Sequence, residues 1–195
     1  MKTGLFGGTF DPVHTGHLII AETVCSDFQL NRILFIPVGI PPHKSGMRLT
    51  ASKHRLAMLN LAVKTVPRFS VSDLELKNPD TSYTIDTVRS LHSVRSSEHE
   101  QFFFIMGSDS LLDLPDWKSH DRLLDETVVV VYPRRGFDIG HAEARFLERI
   151  KTIDAPEIGI SSTLVRRRAA GGRSIRFWVP DSVAEYIRKK GLYRS

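Results

Sequence analysis

The chain has 195 residues, of which 41% are hydrophobic and 25% charged, enough for one domain whose core needs no disulfide staples. Cys25 is the only cysteine, so an internal disulfide is excluded, and no run reaches the roughly 20 apolar residues of a membrane span. The net charge of +5 favours anionic partners and leaves open whether these are nucleic acids or phosphate-rich small molecules.

Lys2 alone precedes a glycine turn, without the apolar core of a signal peptide, and the expected compartment is the cytoplasm. Thr3–Gly7 reads as a short buried strand. Gly16–Phe28 reads as a helix with Leu18, Ala21, Cys25 and Phe28 on one face. Arg32–Val38 is an apolar run of strand length, and Ala51–Val66 is helical with Leu56, Leu59, Ala62, Val63 and Val66 on its apolar side. Phe69–Leu76 alternates as a strand does, imperfectly at Asp73 and Leu74. Thr84–Val94 follows as a helix. The continuous apolar runs Gln101–Met106 and Thr127–Tyr132 suit parallel strands covered on both faces. The segment Gly136–Ile153 is expected to cover the outside of the sheet. Ser161–Ala170 is helical, and Pro180–Lys190 is a helix with Pro at its start and Gly191 just past its end.

This alternation predicts an α/β fold: a doubly wound, Rossmann-like parallel sheet with helices on both faces, spanning residues 1–195 as one domain. Ligands of such sheets sit at the carboxyl ends of strands where strand order reverses. Three loops fall there: Gly7-Gly8, Pro41-Pro42-His43-Lys44 and Gly107-Ser108-Asp109.

The first of these, GGTFDPVHTGH, carries the sharpest chemistry. Gly7 and Gly8 permit backbone conformations that a Cβ forbids and let a ligand approach the main chain. The helix that follows offers free N–H groups and a positive dipole end to an anion. His14 and His17, three apart at its start, project from one side and would flank a phosphate there. A zinc site of His14, His17 and His43 is the competing reading, with no cysteine or carboxylate to complete the ligand set. The stretch is neither a Walker loop nor a G-x-G-x-x-G fingerprint.

GGTFDPVHTGH closely resembles the first signature of the nucleotidyltransferase superfamily, and ISSTLVR (Ile160–Arg166) matches its second. Three further segments, IPVGIPPHK (Ile36–Lys44), SYTIDT (Ser82–Thr87) and GSDSLLDLPDW (Gly107–Trp117), and the terminal GLYR (Gly191–Arg194), resemble the bacterial nicotinate-nucleotide adenylyltransferase family. That resemblance implies transfer of the adenylyl group of ATP to nicotinate mononucleotide, giving nicotinate adenine dinucleotide and pyrophosphate in NAD biosynthesis. It implies Mg²⁺, held mainly through the ATP phosphates, and no nucleic-acid or membrane partner.

By the same resemblance His14, His17, Lys44 and Arg166 are the catalytic set, with His17 nearest the reacting phosphate. Gly7, Gly8, Thr9, Phe10, Gly107, Asp109, Arg134, Ile160, Ser161, Ser162 and Thr163 would bind ATP. Asp109 would approach the ribose and Arg134 the adenine, while Ser161–Thr163 would cradle the leaving pyrophosphate. Ser82, Tyr83, Thr84 and Trp117 would bind nicotinate mononucleotide, Trp117 by stacking on the pyridine. The loop Pro41–Leu49 would close over substrate. The chemistry needs no protein nucleophile, only positioning and charge stabilisation. The rival readings are a pantetheine-phosphate adenylyltransferase, which does not usually carry the GSDSL…W block, and a non-catalytic nucleotide- or RNA-binding protein.

Overall fold

The apolar strands sort their side chains onto two faces with a period of two, and this decides the architecture. A computed structural model describes residues 1–40, 49–94 and 100–194. Strands β1 (Lys2–Gly8), β2 (Arg32–Pro37), β3 (Phe69–Val71), β4 (Gln101–Gly107), β5 (Val128–Tyr132) and β6 (Ile150–Thr152) form a six-stranded sheet in the order β3-β2-β1-β4-β5-β6. Every pairing is parallel, with Leu5 facing Leu34 on one side and Phe104 on the other.

Helices α1 (Thr15–Asp27), α2 (Ser52–Val63), α3 (Leu74–Lys77), α4 (Thr84–Val94), α5 (Ser108–Leu112), α6 (His120–Glu126), α7 (Ala144–Leu147), α8 (Ser162–Ala170) and α9 (Asp181–Lys190) alternate with the strands. Phe6, Ile33, Phe35, Phe103, Ile105 and Val130 point to one face, under Val24 of α1, Met58 of α2, Val165 of α8 and Ile187 of α9. Leu5, Leu34, Ile36, Phe104, Met106 and Val131 point to the other, under Val88 of α4, Leu123 of α6 and Phe146 of α7. The sheet is therefore wound on both sides, as its continuous apolar strands require. Phe35 is fully enclosed, and truncating such a ring to Ala costs about 3–5 kcal/mol.

Two expectations are corrected. The segment Phe69–Leu76 is not one strand: β3 ends at Val71 and α3 begins at Leu74. The Ser72 N–H still donates to the Phe35 carbonyl at 2.9 Å, but its Oγ accepts from the Leu74 N–H and starts a turn. The broken alternation at Asp73 and Leu74 is the trace of that turn. The segment Gly136–Ile153 does more than cover the sheet, because Ile150–Thr152 extends it as the edge strand beside β5. The other predicted elements stand at or close to their expected bounds. Among the described residues no helix is long and apolar enough to cross a membrane.

Strand order reverses between β1 and β4, whose carboxyl ends carry Gly7–Gly8 and Gly107. The crevice above that junction is where this topology puts a ligand.

Candidate active site

Beyond β1 the chain turns sharply from Thr9 to Val13 before α1 begins. Gly7 and Gly8 still belong to β1, and neither has the left-handed backbone that glycine alone adopts freely. The residue at positive φ is Phe10, at 46°. Its ring is buried and lies 3.1 Å from where a Cβ on Gly8 would stand. A side chain at Gly8 would thus crowd the Phe10 ring, while the Gly8 torsions themselves are not left-handed. The Phe10 ring in turn meets the His17 ring edge-on at 5.0 Å.

His14 is the N-cap of α1, and the two imidazoles stack with centroids 3.6 Å apart and planes 23° apart. The His14 backbone N–H donates to Nδ1 of His17 at 3.2 Å. A neutral imidazole that accepts at Nδ1 carries its proton on Nε2. Both rings are neutral at neutral pH in the free protein. Burial, reinforced by the Arg134 guanidinium, lowers His14 to about 4. His17 is also held well below its usual value, by burial first, then by His14 and Arg134. Gly16 serves this pair, since a Cβ there would stand 3.1 Å from both His14 Nδ1 and Ile158 Cγ2.

The turn is pinned from outside. Arg55 of α2 is buried and donates to three carbonyls: Thr50 at 3.1 Å, Thr9 at 2.8 Å and Val38 at 2.9 Å. The peptide joining Asp11 to Pro12 is cis. The buried Asp11 carboxylate accepts from the Thr50 N–H at 3.0 Å and the Tyr193 hydroxyl at 2.7 Å.

The second signature docks on the first. Arg166 donates to the Asp11 carbonyl at 2.7 Å, and the Ser162 hydroxyl donates to the Pro12 carbonyl at 2.9 Å. Ser161 caps α8 by accepting from the Leu164 N–H at 3.2 Å, and Thr163 accepts from Arg166 at 3.2 Å. Ile160 packs against the core beside Ile158.

A cavity of about 350 Å³ opens at the strand ends. Gly7, Gly8, Thr9 and His17 line it from the β1 turn. Gly107, Asp109 and Arg134 line it from the ends of β4 and β5, and Ser82, Tyr83, Thr84 and Trp117 from the α4 and α5 side. Asp109 forms an ion pair with Arg134 at 2.5 Å, while its buried Oδ1 has no hydrogen-bond partner among the described residues. The Trp117 ring stands edge-on to Phe104 at 6.0 Å, and Lys118 lies over the Tyr83 ring at 4.6 Å. The Ser82 N–H donates to the Ile40 carbonyl at 3.2 Å, whereas its buried Oγ has no partner among the described residues. His14, Phe10, Arg166 and Ser161–Thr163 stand behind or beside this cavity, outside its lining. Lys44 and His43 lie outside the described residues.

Sequence reasoning passed over several groups here. Glu75 and Thr87 line the cavity and bond at 2.7 Å, and burial pushes the Glu75 carboxyl up. Asp11 lies in GGTFDPVHTGH and Tyr193 in GLYR, so a signal existed for both. Arg55 left none: it sits in a helix read for its apolar face. Among the described residues no three His, Cys, Asp or Glu side chains group to hold a metal.

A family profile described as Cytidylyltransferase-like matches residues 5–168 and places this Rossmann-like sheet in the nucleotidyl-transferring class. A Thermomicrobium roseum protein named "Probable nicotinate-nucleotide adenylyltransferase" is 42% identical, covering 100% of this chain and 92% of that protein. A Thermus thermophilus protein of the same name is 42% identical, with 100% of both chains covered. The chain belongs to the nicotinate-nucleotide adenylyltransferase family. The fold is shared with Plasmodium falciparum nicotinic acid mononucleotide adenylyltransferase complexed with NaAD, with TM-score 0.81, 21% identity, and 98% of this chain and 97% of that chain covered.

Proposed function

We propose that this chain transfers the adenylyl group of ATP to nicotinate mononucleotide, releasing pyrophosphate. The observation that carries the reading is the shared cavity, in which His17 meets the Asp109–Arg134 pair and the Ser82–Thr84 and Trp117 group. Its two sides would take a nucleotide and a second, aromatic acceptor. The family's names supply the acid form of the acceptor and favour it over phosphopantetheine.

In the reaction a phosphate oxygen of the acceptor attacks the α-phosphorus of ATP. The bond from that phosphorus to the α–β bridging oxygen breaks, and the electron pair leaves with pyrophosphate. His17, with its proton on Nε2, donates to a non-bridging oxygen as charge develops there. His14 stacks behind it and, through its amide, holds its tautomer. Arg166, fixed on the Asp11 carbonyl, keeps donors for the polyphosphate, with Lys44 as the second cation. The first-turn amides of α8 at Ser162 and Thr163 cradle the leaving pyrophosphate. Trp117 stacks on the pyridine, and the amides of Tyr83 and Thr84, unpartnered among the described residues, receive its carboxylate. Mg²⁺ would be held mainly through the ATP phosphates, where it would neutralise their charge.

The test supplies ATP and Mg²⁺ with nicotinate mononucleotide, its amide analogue or phosphopantetheine, and measures pyrophosphate. Fastest release with the nicotinate acceptor supports the reading. Release with phosphopantetheine alone, or with none, contradicts it.

A further inference from the structure

The β1–α1 turn and three distant parts of the chain meet at Asp11. Its carbonyl accepts from Arg166 of the second signature, and its buried carboxylate accepts from the Thr50 N–H. The third distant part is the C-terminal tail, whose Tyr193 hydroxyl donates to Asp11 Oδ1 at 2.7 Å across 182 residues of sequence. Getting it there takes an unusual path. The chain leaves α9 through Gly191 at φ 60° and reaches Tyr193 at φ 63°, a left-handed backbone that a bulky aromatic rarely holds. The helix behind the tail is anchored on α2, by the His54–Tyr186 contact at 2.9 Å and by Ser182 donating to the Leu61 carbonyl at 3.3 Å. None of these groups lines the substrate cavity.

We infer that Tyr193 is a positioning residue for adenylyl transfer, acting through Asp11 to fix the imidazole turn and Arg166 relative to each other. Asp11 carries both jobs on one residue, so a change at its carboxylate is felt at its carbonyl. Tyr193 lies outside the cavity lining, and its hydroxyl links the segment after α9 to the β1–α1 turn. The inference rests on the adenylyl-transfer reading and adds a residue to it.

The test is Tyr193→Phe in the full chain, which removes one oxygen. Turnover is measured at 25 °C with ATP and nicotinate mononucleotide, alongside a melting curve. A fall in kcat of about 10-fold is expected from displaced catalytic groups, with the acceptor KM within about twofold and the chain still folded at the assay temperature. Combining it with Arg166→Lys separates positioning from a general loss of stability. Coupling through Asp11 predicts that the double variant loses clearly less than the product of the two single losses. Unchanged kcat in Tyr193→Phe, or strictly multiplicative losses, overturns the inference. Should Tyr193→Phe not fold, Asp11→Asn, which keeps the side chain's shape, is read by the same criteria. An inactive wild-type chain would instead contradict the adenylyl-transfer reading itself.

Discussion

The backbone N–H of His14 donates to Nδ1 of His17 at 3.2 Å, and that bond decides which face of the second imidazole can work. It places the His17 proton on Nε2, while the stacked His14 ring fixes the plane. The pair is one device: an N-cap residue whose amide orients the ring three residues on. The same neutrality that suits His17 to donate without protonation has consequences for stability.

Stability should fall as the solution is acidified. The buried His14 holds a value of about 4 in the folded chain against 6.5 unfolded. Between those limits the unfolded chain takes up a proton that the folded one refuses, so stability drops as pH falls through that window and is flat above it. At pH 5 the loss from His14 is about 2 kcal/mol. His17 is shifted in the same direction and adds to it. Urea unfolding at pH 7.5 and pH 5, for the wild type and His14→Gln, checks this. The variant should lose less stability than the wild type over the interval.

Arg55→Met should cost about 3 kcal/mol or more, because it strands the carbonyls of Thr9, Val38 and Thr50 that the guanidinium satisfies. Lys carries its charge at a single point and cannot serve three carbonyls in this fork, so Arg55→Lys should recover only part of the loss. Thermal melts of the three proteins give the ranking.

Gly39→Ala should disturb acceptor binding. A Cβ there would collide with the backbone carbonyl of Glu75, which cannot swing aside as a side-chain tip would. Glu75 also accepts from Thr87 at 2.7 Å, so the strain is passed to the first turns of α4 behind Ser82–Thr84. A destabilisation of about 1–3 kcal/mol is expected. Steady-state kinetics should show a raised KM for the nicotinate acceptor and a smaller change for ATP.

Trp117→Ala should raise the acceptor KM about 10-fold and change kcat less, since stacking on a pyridinium ring acts in both ground and transition states. Equal losses in kcat and kcat/KM would place Trp117 in the transition state instead.

The sheet was legible because its strands are buried on both faces: QFFFIM and VVVVY admit little but parallel core strands. The imidazole pair was legible because three-residue spacing at a helix start puts two side chains on one side. Glycine was legible as a requirement but not as a reason. At Gly8 and Gly16 the crowding comes from the Phe10 and His14 rings, which only the folded chain brings close. Arg55 was hidden because a buried cation satisfied by distant carbonyls has no local pattern. Asp11 and Tyr193 were visible as letters of two motifs, while the bond joining them spans nearly the whole chain.

His17→Ala tests the central claim most directly. Removing the Nε2–H donor from the shared cavity should lower turnover with ATP and nicotinate mononucleotide about 10²–10³-fold while ATP affinity changes far less. A purified, folded His17→Ala protein that keeps near-normal turnover would contradict the account.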